Sequence, residues 1–113
     1  MSESTFVTEF YEMSHEVNLT SILHGWWEEE GNDGEKIALM HSELSEVLEA
    51  LRLGKSTQSE KIPNFTKVEE ELADVIIRVM DYAIQRNLRL AEAIEAKAEY
   101  NKNRPYRHGG KKF

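Results

Sequence analysis

Two pairs of acidic side chains are the residues in this sequence best placed to do chemistry. Glu43 and Glu46 are three residues apart, and so are Glu71 and Asp74. Side chains at i and i+3 project from one face of a helix, with Cβ atoms roughly 5–6 Å apart. If both segments are packed helices, the four carboxylates converge as oxygen ligands. That is the ligand set of hard divalent cations such as Mg²⁺ or Mn²⁺.

Asp74 carries most of the argument for a metal, because it lies in the most apolar segment of the chain. A carboxylate there is costly unless it is paired or binds a cation. The plain alternative is a solvated helix face, since Glu is a strong helix former and Glu46 and Glu49 form another such pair. The setting of Asp74, and the presence of two pairs on two segments, favours metal binding.

Other polar residues near these pairs allow more than one interpretation. Glu12 and His15 supply one Glu-x-x-His motif, but a ferritin-like di-iron site needs two. His15 is therefore expected to be a surface or helix-packing residue. Arg78, one turn beyond Asp74, could reach a phosphate or pair with Asp74. Asp81, two turns beyond, is either an acceptor behind the metal ligands or a surface charge.

Six residues are candidates for contacting a substrate, and Arg78 is one of them. Lys97, Asn101 and Arg104 are spaced i, i+4, i+7 and share one helix face. Lys and Arg bind phosphate, although bases in a last helical turn also complement the helix dipole, which by itself explains the spacing better. Of the adjacent Trp26 and Trp27, one could stack on a nucleobase, or one could simply pin a loop onto the helices.

Four helices with short connections must position these residues. Apolar residues at helical spacing predict helices from about Ser4 to Leu23, from Asn32 to Leu53 before Gly54, from Thr66 to about Arg86, and from near Asn87 onward. Asn32 and Thr66 are each followed three residues later by Glu, which is typical of a helix N-terminal capping box. The third helix is the most apolar and is expected to be central. The fold class is therefore all-α and bundle-like.

Composition limits the remaining possibilities. The 113 residues fit one domain, 1–113, with a basic tail from about 105 to 113. Residues 1–100 hold all 21 acids and 9 bases, a net charge of −12, whereas residues 101–113 carry +5. The absence of cysteine excludes disulfides and thiolate metal sites. Neither a signal peptide nor an apolar membrane span is found, so a cytoplasmic protein without membrane contact is expected.

Taken in order, the motifs resemble those of the MazG-like family of all-α nucleoside triphosphate pyrophosphohydrolases. The resemblance covers residues from about 24 to 110, and three local strings carry it: IALMHSELSEVLEAL, EEELADVIIRVMDYA and KAEYNKNRPYRHGG. It implies a MazG-type four-helix fold and Mg²⁺-dependent hydrolysis of a (d)NTP to the monophosphate and pyrophosphate. It also implies a homodimer or homotetramer with sites near the subunit contacts.

The resemblance further implies a role for each candidate residue. Four residues match the metal ligands of the family: Glu43, Glu46, Glu71 and Asp74. Another three match positions that face the nucleotide: Lys97, Asn101 and Arg104. Trp26 and Trp27 lie where family members place aromatic residues against the base. In the mechanism we predict, Glu46 is the catalytic base that accepts a proton from the attacking water.

Two alternatives remain open at this point. The basic tail could serve a non-catalytic helical interaction protein or one that binds nucleic acid. The acidic body opposes nucleic-acid binding, because such domains are usually basic over a whole face. Within the same superfamily, a phosphoribosyl-ATP pyrophosphohydrolase and a housekeeping enzyme that removes dUTP, dCTP or modified nucleotides are both compatible with these motifs.

Overall fold

Four α-helices make up the described part of the chain, residues 4–29 and 31–105 of a computed structural model. They are α1 (Thr5–Leu23), α2 (Asp33–Leu53), α3 (Lys67–Gln85) and α4 (Leu90–Lys102). Over these residues no β-strand forms, and an isolated bridge joins Gln58 to Thr66. The prediction of an all-α fold with four helices is confirmed.

Side-chain caps start the first three helices where the sequence predicts them. The Ser4 hydroxyl accepts a hydrogen bond from the Val7 N–H, and the Asn32 side chain accepts one from the Glu35 N–H. At Thr66 both halves of a capping box form with Glu69. These bonds satisfy N–H groups that have no partner within the helix, which fixes the start of each helix.

The fourth helix begins later than predicted, at Leu90 rather than near Asn87. Asn87 adopts a left-handed backbone conformation with φ of 57°. Its N–H donates to Ile84 O, and the Leu88 N–H donates to Ala83 O. This is the Schellman arrangement that ends a helix, and it places Asn87 outside both α3 and α4.

α3 is the central helix, as predicted, because it packs against both α2 and α1, while α4 packs against α1. The buried apolar residues are mostly small, and in the described residues they are Val7, Val47, Ala50, Met80, Ala83 and Ala91. On α3 the buried residues also include Glu70 and Glu71, each only 6% exposed. The central helix therefore turns part of its polar side inward.

Large apolar side chains lie on the outer surface of α2 and α3. Leu44, Leu48 and Leu51 form one stripe on α2, and Leu72 and Ile76 form another on α3; we call these five residues the apolar stripes. Each of them is 44–51% exposed. Exposed apolar surface of this kind marks sites of interaction with another molecule.

Over the described residues, the helices are all too short or too polar to cross a membrane.

Candidate functional site

The packing of α2 against α3 brings three acidic side chains together. Glu43 of α2 and Glu71 and Asp74 of α3 each offer one carboxylate oxygen, and these oxygens lie within 4.8 Å of one another. We call this group the carboxylate cluster. The two helices are separate in sequence, so the cluster depends on the long-range α2–α3 contact as well as on the i, i+3 spacing within α3.

Glu46, the fourth predicted ligand, is placed close to the cluster but not in it. It is exposed and lines the same cavity, one helical turn along α2 from Glu43. The structure thus brings together three of the four predicted metal ligands and leaves the fourth on the wall beside them.

The cluster lies in a cavity of about 590 Å³ between α1, α2 and α3. The side chains that line it include five acids and three bases, a net formal charge of −2: Glu43, Glu46, Glu71, Asp74, Asp81, Lys61, Lys67 and Arg78. Its volume lies within the range of small-molecule sites, roughly 300–1,000 Å³. A cavity with acids on one wall and bases nearby can hold a cation together with an anionic ligand.

Two basic side chains neutralise part of the cluster. Arg78 Nε donates to Glu43 Oε1 at 2.7 Å, rather than pairing with Asp74. Lys67 Nζ lies 3.0 Å from Glu71 Oε1 and 3.8 Å from the Glu70 carboxylate. Glu43 and Glu71 are therefore each paired with a basic side chain.

Asp74 differs from its two neighbours in the cluster. Within the described part of the chain it has neither a hydrogen bond nor an ion pair. Burial raises the pKa of the Asp74 carboxyl above its ordinary value of 3.8, and the charges of Glu43, Glu71 and Glu70 raise the pKa further. Three oxygen donors under mutual repulsion fit a hard divalent cation, which would stabilise the ionised form.

Behind the cluster, Glu70 fixes the connection between α2 and α3. The Ser59 hydroxyl donates to Glu70 Oε1 at 2.7 Å and accepts from the Ile62 N–H at 3.0 Å. The bond from Ser59 holds the pKa of Glu70 below its ordinary value of 4.5. This contact holds the connecting segment against α3, which leaves Lys61 on the cavity wall.

The two tryptophans occupy different positions in the segment 24–29, which we call the Trp loop. Trp26 lines the cavity and is 46% exposed, with the Arg78 guanidinium carbon 4.6 Å from its ring centroid. Trp27 is half-buried, with Lys36 Nζ 4.2 Å from its ring centroid. The Trp27 indole N–H donates to the Asp81 carboxylate of α3, which holds the loop against that helix. The Trp26 ring lies beside the cavity.

Asp81 is neither an acceptor behind the metal ligands nor a simple surface charge, the two roles considered from sequence. Its carboxylate accepts hydrogen bonds from Asn18, Ser21 and Trp27. The side chain is half-buried and also lines the cavity. It therefore joins α3 to α1 and to the Trp loop.

The three predicted nucleotide-contacting residues do not reach this cavity within one chain. α4 ends at Lys102, so Arg104 lies beyond the helix and not on the helix face predicted for all three residues. Lys97, Asn101 and Arg104 are all exposed, and the cavity is lined by other residues. Lys97 Nζ lies 4.5 Å from the ring centroid of Tyr100 on the same helix. Most of the predicted basic tail, residues 106–113, falls outside the described residues.

Sequence reasoning did not identify Lys61 or Lys67 as site residues. Lys67 had a local signal, because it precedes Glu71 by four residues and so lies on the same helix face. Lys61 had none, since its place depends on the bond between Ser59 and Glu70. His15 is exposed on α1, which agrees with the expected surface role.

Comparison with protein-family models, with curated proteins and with solved structures found no match for this chain.

Proposed function

We propose that this protein is a Mg²⁺-dependent nucleotide pyrophosphohydrolase of the MazG-like family, which cleaves a (d)NTP to the (d)NMP and pyrophosphate. The observation that carries the proposal is the combination of the carboxylate cluster with three basic side chains in one cavity beside Trp26. Carboxylates supply the metal ligands, and Lys61, Lys67 and Arg78 supply charge against the phosphates.

The carboxylate cluster together with Glu46 would hold the metal. Mg²⁺, or Mn²⁺ in its place, would supply positive charge that polarises the phosphate oxygens. Its charge would offset the repulsion between Asp74 and its acidic neighbours. Lys67 and Arg78 then share their charge between the carboxylates that they contact and the phosphates of the substrate.

Glu46 is the residue that we assign as the base. It is exposed to the cavity, and no ion pair of Glu46 is found in the described residues. It accepts a proton from a water whose oxygen forms a bond to the α-phosphorus. The bond between the α-phosphorus and the bridging oxygen breaks, and pyrophosphate leaves with the electron pair.

A second copy of the chain completes the site in this proposal. Lys97, Asn101 and Arg104 lie away from the cavity of their own chain, and the apolar stripes leave large side chains exposed. A homodimer or homotetramer covers the stripes and brings these three residues to the partner's nucleotide. Trp26 is the aromatic residue that we expect to contact the base.

The direct test is pyrophosphate release from a panel of (d)NTPs with and without Mg²⁺. We expect Mg²⁺-dependent release by the wild type and a loss of at least about a hundredfold in Asp74→Asn, because the amide removes one anionic ligand. Glu49→Gln is the matched control. It removes an acid from α2 that is exposed and pairs with Arg52, so it should retain wild-type activity.

Two results would contradict the proposal. One is the absence of pyrophosphate release from every nucleotide in the panel with Mg²⁺ present. The other is equal activity of Asp74→Asn and the wild type.

A further inference from the structure

The carboxylate of Asp81 accepts hydrogen bonds at both of its oxygens. Oδ1 accepts from Asn18 Nδ2 at 2.8 Å, and Oδ2 accepts from Ser21 Oγ at 2.7 Å. Trp27 Nε1 lies 3.1 Å from each oxygen, and its single N–H is shared between them. Three side chains therefore hold this carboxylate in place.

Asp81 is not part of the carboxylate cluster, although both line one cavity. Its partners are two side chains of α1 and one of the Trp loop. Because both of its oxygens accept from these side chains, Asp81 is placed to influence the site through the residues that it holds.

The Trp loop is attached to α3 at two neighbouring points. Arg78 and Asp81 are three residues apart on α3 and so share one face. Trp26 stands over the Arg78 guanidinium, and Trp27 donates to Asp81. Because Trp26 and Trp27 are consecutive, fixing the side chain of Trp27 on α3 also fixes the backbone from which the Trp26 ring projects.

We propose that Asp81 is a positioning residue that acts through the Trp27 indole to hold the Trp26 ring at the cavity, where the base of the nucleotide stacks. The inference rests on the proposed function in one respect, the role of Trp26 towards the base. It deepens that function by assigning base recognition to the hydrogen bond between Asp81 and Trp27, which touches neither the phosphates nor the metal ligands.

The first experiment measures the position of Trp26 without any nucleotide. The full chain is labelled with 5-fluorotryptophan, and its two ¹⁹F resonances are assigned with single Trp→Phe variants. In Asp81→Ala we expect the Trp26 resonance to move towards that of solvent-exposed fluorotryptophan. Trp27→Phe should do the same, because it removes the indole N–H while keeping an aromatic ring.

Asn18→Ala is the matched control for this experiment. It removes a donor to the same Asp81 carboxylate, but one that comes from α1 and not from the Trp loop. The Trp26 resonance should therefore stay at its wild-type position. Since Asp81→Ala also removes the acceptor of Ser21 and one of the two acceptors of Asn18, Trp27→Phe keeps the inference testable if that variant does not fold.

The second experiment separates base recognition from phosphate recognition. Binding with Mg²⁺ is measured for the α,β-methylene analogue of the best substrate and for inorganic tripolyphosphate, which has no base. We expect Asp81→Ala and Trp27→Phe to bind the analogue roughly tenfold more weakly, the usual size of one base–aromatic stack. Binding of tripolyphosphate should not change.

The two experiments give distinguishable failures. If the Trp26 resonance is unchanged in both variants, or if both ligands lose affinity equally, the positioning role of Asp81 is wrong. If the wild type neither hydrolyses nor binds any nucleotide, the proposed function is wrong. The ¹⁹F comparison then still decides whether Asp81 positions Trp26.

Discussion

At the scale of single residues, the partners of a side chain decide its role. Asp74 and Asp81 lie on the same central helix and line the same cavity. Asp74 is without a donor in the described residues; burial, and then the charges of the acids around it, raise its pKa and favour a bound cation. Asp81 is surrounded by neutral donors, which hold its carboxylate in place. The sequence shows an aspartate at both positions and does not show these neighbours.

Asp33 allows a pH-dependent test at the same scale. Its Oδ1 accepts from Arg86 Nε at 2.7 Å, and this bond lowers the pKa of Asp33 below its ordinary value of 3.8. A lowered folded-state pKa contributes stability above the unfolded value, and that stability is lost as the pH falls through the folded value. We expect Asp33→Asn to be less stable than wild type at neutral pH, with the difference shrinking as the pH falls below the ordinary value of 3.8 and through the lowered pKa of Asp33.

Urea unfolding of both proteins between pH 7 and pH 2.5 measures this difference. Glu35→Gln removes a charge from the same first turn of α2 but leaves the pair of Asp33 and Arg86 intact, so it serves as the control. The effect should be small and should decrease with salt, because the Asp33 side chain is exposed. A stability gap that persists unchanged at the lowest pH would show that the ion pair is not its cause.

At the scale of helices, the end of α3 shows what local sequence encodes. Asn87 holds a left-handed conformation with φ of 57°, and it separates α3 from α4. We expect Asn87→Gly to leave the free energy of unfolding near the wild-type value. Asn87→Ala should lower it by about 1 kcal/mol, since a residue with Cβ is strained there. Thermal or chemical unfolding of the two variants measures the contrast, and equal stabilities would argue against this backbone assignment.

How much of the fold and of the site can be predicted from the sequence depends on how far apart in sequence the interacting residues are. The caps at Ser4, Asn32 and Thr66 and the apolar periodicity are local, so the helices could be predicted to within a few residues. The i, i+3 spacing also indicated the acidic pairs. The place of Lys61 and the three donors to Asp81 depend on contacts between distant segments, and no local pattern reports such contacts.

At the scale of the whole molecule, a single chain leaves large apolar side chains exposed on its surface. The described core contains mainly valine and alanine side chains, while larger leucines and isoleucines of the apolar stripes stay exposed. Burial of such side chains is the main favourable term in association. The same chain keeps Lys97, Asn101 and Arg104 away from its own cavity. Both facts favour a site that two copies share.

A shared site makes a quantitative prediction for mixed oligomers. In the proposed shared site, Asp74→Asn would remove a metal ligand from the cavity of its own copy, and Arg104→Ala would remove a phosphate contact that serves the partner's cavity. In a mixed dimer, one site carries both substitutions and the other carries neither. Random mixing of the two inactive variants should therefore restore roughly one quarter of wild-type activity, because half of the dimers are mixed and each has one intact site.

Co-refolding or co-expression of the two variants, followed by the pyrophosphate assay, measures this restoration. A mixture of Asp74→Asn with Glu71→Gln is the matched control. Both of these substitutions affect the carboxylate cluster of a single copy, so every site in a mixed dimer carries one of them and activity stays low. If Asp74→Asn and Arg104→Ala also fail to complement each other, or if light scattering finds a monomer, each copy must act alone. Lys97, Asn101 and Arg104 would then have no part in the site.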